Sequence, residues 1–210
     1  VSRTLLDVTR KLVTGTPVWP GDAGVTVESR PMGGGIVSRL ATTCHAGTHL
    51  ETGRHVAPGH PDVASLPLEL LVGPAEVVRV PARPAGRVGP ADLPRGWRPA
   101  AERVLLATDT HPAGSEVAAG RFMGVETALV HLLADAGVRL LGIDTPSVDP
   151  LPDGSLAAHR ALAERGLVWI EGLDLEGVPA GRYQLVALPL PLPGAEAAPL
   201  RAVLVHEEGG

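Results

Sequence analysis

The amino-acid sequence predicts an α/β protein: one domain over residues 1–210, with a mixed sheet and βαβ units in its C-terminal half. Three observations predict it. Short apolar stretches alternate with amphipathic ones between residues 104 and 173. A glycine, Gly137 or Gly166, stands ready to stop each amphipathic stretch. A length of 210 residues suits one core of ordinary size.

Taken in order, residues 1–13 begin as a strand, with Leu5, Val8 and Leu12 apolar among polar neighbours. In TPVWPGD, residues 16–22, Pro17 and Pro20 keep the chain extended and Pro20-Gly21-Asp22 turns it. Trp19, carried between them, either caps the core or forms a wall for a flat ligand. Val25–Glu28 and Ile36–Thr43 alternate apolar with polar, which predicts two strands joined through Gly33-Gly34-Gly35. No Lys-Ser/Thr follows those glycines, so a phosphate cradle is not expected.

The second strand leads into HAGTHLETGRH, residues 45–55, where three histidines and a carboxylate fall within eleven positions. That density predicts a metal site. A plain strand would hold His45 and His49 roughly 13 Å apart, whereas ligands of one zinc lie about 2.0–2.2 Å from it. A helical turn is disfavoured by Gly47 and Thr48. A bend at Gly47 followed by extended chain brings His45, His49 and Glu51 together, with His55 one step further out. Cys44 reads as a small buried hydrophobe rather than a soft ligand, and His60 in the following loop is a remote candidate.

A short helix is expected over Ser65–Leu71, a strand over Ala75–Val80, and a surface connection over residues 81–100, long enough for a lid or partner contact. Val104–Thr108 reads as a strand, and the loop holding His111 is unassigned. The spacing of Val125, Leu129, Leu132 and Ala136 predicts a helix over 124–136 with His131 in solvent. Arg139–Ile143, Leu156–Arg165 and Leu167–Leu173 then read as strand, helix and strand. The strands of these two βαβ units should run parallel, which puts DTPSVDP, residues 144–150, beyond the strand ends where ligands collect.

In VWIEGL, Glu171 either meets a metal or cation or faces solvent at an edge, because an unpaired buried carboxylate is costly. His159 in SLAAHRAL, taken alone, reads as a surface histidine near a helix start. Arg182–Leu188 and Arg201–His206 close the chain as strands, LPLPLPG suits an edge or bend, and His206 with the acidic tail reads as a frayed end.

A formal net charge of −5 leaves no basic footprint for nucleic acid. No run approaches the roughly 18 apolar residues of a membrane span, and one cysteine excludes an intramolecular disulfide framework. The N-terminus lacks a secretory signature. A cytoplasmic protein is expected.

Through TPVWPGD, HAGTHLETGRH, VRLLGIDTPSVDP, AAHRAL, WIEGLDL, GRYQLVALPLPL and APLRAVL, nearly end to end, the chain resembles the metal-dependent cyclase-like hydrolases that include bacterial kynurenine formamidase. The resemblance implies a swivelling β/β/α fold, a homodimer, and two zinc ions per subunit, with manganese an alternative. His45, His49 and Glu51 would hold the first ion; Glu51 and Glu171 would bridge to a second, bound also by His159. His55 would donate and accept the proton, and Trp19 would line the substrate pocket. The implied reaction is hydrolysis of a small amide, N-formylkynurenine to kynurenine and formate. The family also holds isatin hydrolases and cyclases, so the competing expectation is a cyclase or a lactone or isatin-type hydrolase of a secondary-metabolite pathway. A third is an idle relative that keeps the fold for binding.

Three positions depart from the family pattern. Glu51 stands where Asp is usual, one methylene longer, which either shifts the bridging oxygen or leaves one tight and one weak site. Gly53 replaces the common Pro. Arg54 replaces an apolar residue and is expected to place a positive charge on the pocket rim.

Overall fold

The computed structural model of the chain describes residues 3–117, 121–151 and 154–207. In chain order the elements are β1 (Arg3–Asp7), β2 (Thr26–Met32), β3 (Gly35–Ala41), β4 (His49–Glu51), α1 (Leu68–Leu71), β5 (Val72–Arg79), β6 (Gly86–Val88), β7 (Arg103–Ala107), β8 (Met123–Val125), α2 (Thr127–Asp135), β9 (Leu140–Ile143), α3 (Ala157–Glu164), β10 (Val168–Glu171), β11 (Gly181–Pro189) and β12 (Ala197–Glu207). The result is a mixed α/β domain whose core is mostly sheet.

Eight strands form one sheet in the order β1-β12-β11-β5-β7-β9-β10-β4, and β4 also pairs with β12. The sheet therefore closes on itself. Its β5-β7-β9-β10 portion is parallel, as the two βαβ units require, while β4, β11, β12 and β1 pair antiparallel.

Alternation along the strands splits the core into two layers. Leu105 and Ala107 join Leu50, Ile170, Leu185 and Leu204 on one face. Val104 and Leu106 join Leu141 and Trp169 on the other, where Leu129, Val130 and Leu133 of α2 and Ala158, Ala161 and Leu162 of α3 cover them. Full burial of a Leu-sized side chain contributes about 1.5–3 kcal/mol, so these two helices are held by packing rather than propensity.

Several expectations need correction. The helix expected over 124–136 starts only at Thr127, because Gly124 and Val125 belong to β8, parallel to β6. The buried stripe of α2 is Leu129, Val130 and Leu133 rather than Leu129, Leu132 and Ala136, a shift of about one residue. His131 is exposed, as expected. The helix expected over Ser65–Leu71 is a 3-10 turn at Val63–Ser65 followed by α1, with Pro67 between them. His206 is not frayed, because β1 pairs with residues 203–207 and sets Thr4 opposite it; the last three residues of the tail lie outside the described part. The glycines at 33–35 turn the β2–β3 hairpin, whose strands, among the described residues, pair only with each other and leave Ile36 76% exposed.

Candidate metal centre

The site begins at a bend. Gly47 has φ +64, and a Cβ there would lie 2.7 Å from Leu12 Cδ2. Gly172, φ +67, packs still closer: its Cβ would lie 2.2 Å from the Gly47 carbonyl oxygen. Thr48 Oγ1 donates to the Gly172 carbonyl (2.6 Å) and accepts from Arg10 N–H (2.8 Å), which fastens the bend to the end of β10. After the bend the chain extends as β4, antiparallel to β10, with Trp169 opposite Glu51 and Glu171 opposite His49. Leu50 and Ile170 point into one core layer. His49, Glu51 and Glu171 consequently point to the other face, toward α3 and His159.

There the side chains converge. His45 Nδ1 lies 2.7 Å from Glu51 Oε1, and His49 Nε2 lies 3.1 Å from the same oxygen and 3.3 Å from Glu171 Oε2. His159 Nε2 is 3.6 Å from Glu51 Oε2 and 3.5 Å from Glu171 Oε1. The His55 ring stands 4.9 Å from that of His45 and 5.3 Å from that of His159. Among the described residues, two groups of donor atoms are close enough to share an ion, His49-Glu51-Glu171 and His45-Glu51-His55. Glu51 belongs to both, so the longer carboxylate still spans the cluster. His55 falls into a donor group as well as beside it.

Most of these rings are held from behind. His49 Nδ1 donates to the Gly47 carbonyl (3.2 Å), and His159 Nδ1 donates to Asp149 Oδ2 (2.7 Å). Asp149 also accepts from the N–H groups of Ala158 and His159 at the start of α3 and from Arg87. His45 Nε2 is 3.0 Å from Glu196 Oε1. These bonds turn Nε2 of His49 and His159 inward, the arrangement that metal-ligating histidines use. No ring hydrogen bond to His55 occurs among the described residues.

The electrostatics favour a cation. Burial presses His49 toward its neutral form, but Glu171 and Glu51 outweigh it and hold the ring up to about 10. Burial likewise opposes the charge on His159, and Asp149, Glu171 and Glu51 raise it to about 9. Glu51 stays well below the ordinary carboxylate range, because His45 and His49 overcome its desolvation. Yet Glu51 Oε2 is buried with no hydrogen-bond partner, an expensive state for a carboxylate oxygen. A divalent cation fits this donor set of imidazoles and carboxylates and would satisfy that oxygen.

Above the cluster opens a cavity of about 1050 Å³, lined by His45, Glu51, His55, His159 and Glu171 and walled by Trp19. The turn holding Trp19 is closed by Asp22 N–H on its carbonyl (3.0 Å). DTPSVDP contributes Pro146 and Ser147 to the wall, and Val148 N–H fixes Glu171 Oε1 at 2.7 Å.

Residues 6–150 match the family model described as putative cyclase. The chain belongs to the cyclase family. Within that family it is 40% identical to a kynurenine formamidase of Salinibacter ruber over 205 residues, 95% of this chain and 96% of the relative. It is 38% identical to a kynurenine formamidase of Maricaulis maris over 203 residues, covering 94% and 96%. A solved structure of a predicted metal-dependent hydrolase from Bacillus stearothermophilus superposes with a TM-score of 0.82 at 29% identity, over 99% of this chain and all of the other. Isatin hydrolase A of Labrenzia aggregata shares the fold at a TM-score of 0.80 and 21% identity, covering 98% and 94%.

As a cyclase-family member the chain handles its departures locally. A Cβ at Gly53 would lie 2.5 Å from His60 Nδ1, so His60 fills the space a larger residue would take and does not line the cavity. Arg54 does not line it either, contrary to the rim charge expected: its Nε donates to Gly194 O (3.1 Å) and its NH1 to Pro58 O (2.9 Å). Cys44 is half-buried and belongs to neither donor group. Sequence reasoning missed Asp149, Glu196 and Arg10. Asp149 had a weak signal in its place at the end of DTPSVDP; Glu196 and Arg10 had none.

Proposed function

We propose that the chain is a metal-dependent hydrolase of a C–N bond outside peptides, with N-formylkynurenine as substrate and kynurenine and formate as products. The observation that carries this reading is the convergence of His49, Glu51 and Glu171 with His45, His159 and His55 beneath one cavity. Whole-length likeness to two kynurenine formamidases supports the choice of substrate.

His45, His49, Glu51, Glu171 and His159 would hold two divalent ions per subunit, zinc by the donor set, with manganese the alternative. When bound, such ions polarise a carbonyl oxygen and acidify water toward a pKa of about 7. The protein does the rest. Trp19 stacks on the aromatic ring and holds the formamide over the cluster. His55, free of a fixing hydrogen bond and pulled below its ordinary value by burial, is neutral near pH 7. It takes a proton as the formyl carbon is attacked and returns it to the departing aryl amine nitrogen. Trp19 and the loop of Ser147 keep bulk water from the ring side of the substrate.

We further infer a homodimer, supported by the apolar β2–β3 hairpin, where Ile36, Met32 and Leu40 are exposed and an isolated two-stranded ribbon needs cover. A cytoplasmic location is part of the same reading. It is supported by the single cysteine, which leaves no intramolecular disulfide.

The test is elemental analysis and N-formylkynurenine hydrolysis on one sample. Bound divalent metal with turnover is expected. A metal-replete protein that leaves formylkynurenine intact while opening a lactone or isatin ring would replace the substrate, and a protein free of both metal and turnover would end the reading.

A further inference from the structure

The turn before β12 is tied to the metal strand by more bonds than a surface connection needs. Thr52, the residue after Glu51, donates its N–H to the Glu196 carbonyl (2.9 Å), and its hydroxyl reaches the same oxygen (3.3 Å). Arg54 Nε donates to Gly194 O (3.1 Å), Gly194 N–H donates to Asp62 Oδ2 (2.7 Å), and Val63 N–H donates to Ala195 O (3.0 Å). Residues 194–196 are thus clamped by the last residues of the histidine motif, Thr52 and Arg54, and by Asp62 and Val63 just after it.

This clamp fixes one side chain at the cavity. The Glu196 carboxylate, with 36% of its surface exposed, lines the cavity, and its Oε1 lies 3.0 Å from His45 Nε2. The opposite nitrogen of the same ring, Nδ1, lies 2.7 Å from Glu51 Oε1 inside the donor cluster. An imidazole that gives its Nε2 hydrogen to a carboxylate keeps a lone pair on Nδ1. Asp149 stands in the mirrored relation to His159, holding Nδ1 and leaving Nε2 inward.

We propose that Glu196 is a positioning residue for the metal centre: it accepts the Nε2 hydrogen of His45 and so commits that ring to offering Nδ1 to the cation. Arg54 acts one step further back, bracing the backbone that carries Glu196. The proposal rests on the reading of the cluster as a metal site.

The experiment compares the zinc affinity of the parent protein, by competition with a chelator, with that of Glu196→Gln and Glu196→Ala. An amide oxygen still accepts the Nε2 hydrogen, so Glu196→Gln is expected to stay within a few-fold of the parent, whereas Glu196→Ala weakens zinc by about 10- to 100-fold, the usual effect of removing a group behind a metal ligand. Nitrogen NMR of zinc-loaded parent protein, which needs no variant, should find the proton of His45 on Nε2 and the metal on Nδ1. Equal affinity in all three proteins, or metal on Nε2, overturns the proposal. So does Glu196→Gln failing as badly as Glu196→Ala, which would make the carboxylate itself a ligand. A parent protein that binds no zinc would instead overturn the metal reading.

Discussion

Glu171 lies directly opposite His49 across the β10–β4 ladder, its Oε2 3.3 Å from the histidine Nε2, with both residues almost fully buried. Strands 120 residues apart in sequence therefore share a charged pair on a face otherwise filled by Trp169 and α3. Together with Glu51, that pair places two carboxylates where water cannot solvate them, so a divalent cation should stabilise the fold. A metal present at 1,000 times its Kd adds about 4 kcal/mol, and in a protein of this size that raises Tm by on the order of 10 °C. Melting curves of zinc-loaded and chelator-stripped protein check it; coincident curves would argue against a buried cation site.

Among the described residues, His55 is the ring of the cluster with no hydrogen bond behind it, although it shares a donor group with His45 and Glu51. A proton carrier that is not a required ligand can be removed without losing the ion held by His49, Glu51 and Glu171. His55→Ala is expected to keep that metal and lose about 10²- to 10⁴-fold in kcat. His49→Ala should lose both. Metal content measured beside turnover decides, and equal metal loss in the two variants would make His55 a ligand first.

The parts legible in sequence were those with a local period or a local cost. Strands β7, β9 and β10 and the helices α2 and α3 follow from apolar spacing and from Gly137 and Gly166. Glu171 stood out because a carboxylate in an apolar strand demands a partner. What could not be read depends on pairing across the chain. Gly124 and Val125 head a run whose apolar spacing fits a helix, and only the pairing of β8 with β6 makes them strand. His206 is ordered by β1, through its pairing with Thr4 near the other end of the chain. Glu196 reaches His45 because β12 pairs with β4 as well as with β11, and Arg54 turns from the rim to the backbone of Gly194 for the same reason. No periodicity carries that information.

Asp149 performs two tasks with one carboxylate. It caps the N-terminus of α3 through Ala158 and His159 N–H and orients the His159 ring. Asp149→Ala is expected to weaken zinc by about 10- to 100-fold and to destabilise the protein by about 2–4 kcal/mol, from the lost cap and the lost buried pair with Arg87. Chelator competition and urea unfolding measure the two effects separately. Parent-like zinc affinity in a folded Asp149→Ala would deny it a role at the centre.

The contact of Gly172 with the Gly47 carbonyl leaves no room for a side chain, and the neighbour is backbone, which cannot swing aside. Gly172→Ala combines that overlap with a positive φ, so it should cost about 3 kcal/mol or more and open the bend that aligns His45 with His49. Gly59→Ala, with open space around it, should lie within about 0.5 kcal/mol of the parent. Thermal melts of the two variants compare them; a Gly172→Ala protein as stable as Gly59→Ala would mean that the bend is held by something other than this close approach.

His111 supplies a pH dependence distinct from the metal cluster. It is buried, and Arg10 NH1 donates to its Nδ1 at 3.0 Å while NH2 donates to its carbonyl at 2.6 Å. Burial and the neighbouring guanidinium push the ring down to about 4 from an ordinary 6.5. In the unfolded chain the ring gains its proton near 6.5; in the folded protein it does so only near 4. The unfolded state therefore binds more protons between those values, and stability falls as pH falls through that window. The loss attributable to this residue is on the order of 3 kcal/mol by pH 4. His111→Gln can still accept from Arg10 and does not titrate, so its unfolding free energy should decline less steeply between pH 6.5 and 4 than that of the parent. Parallel curves for the two proteins in urea across that range would place the acid sensitivity elsewhere and leave Arg10 without influence on the protonation of its neighbour.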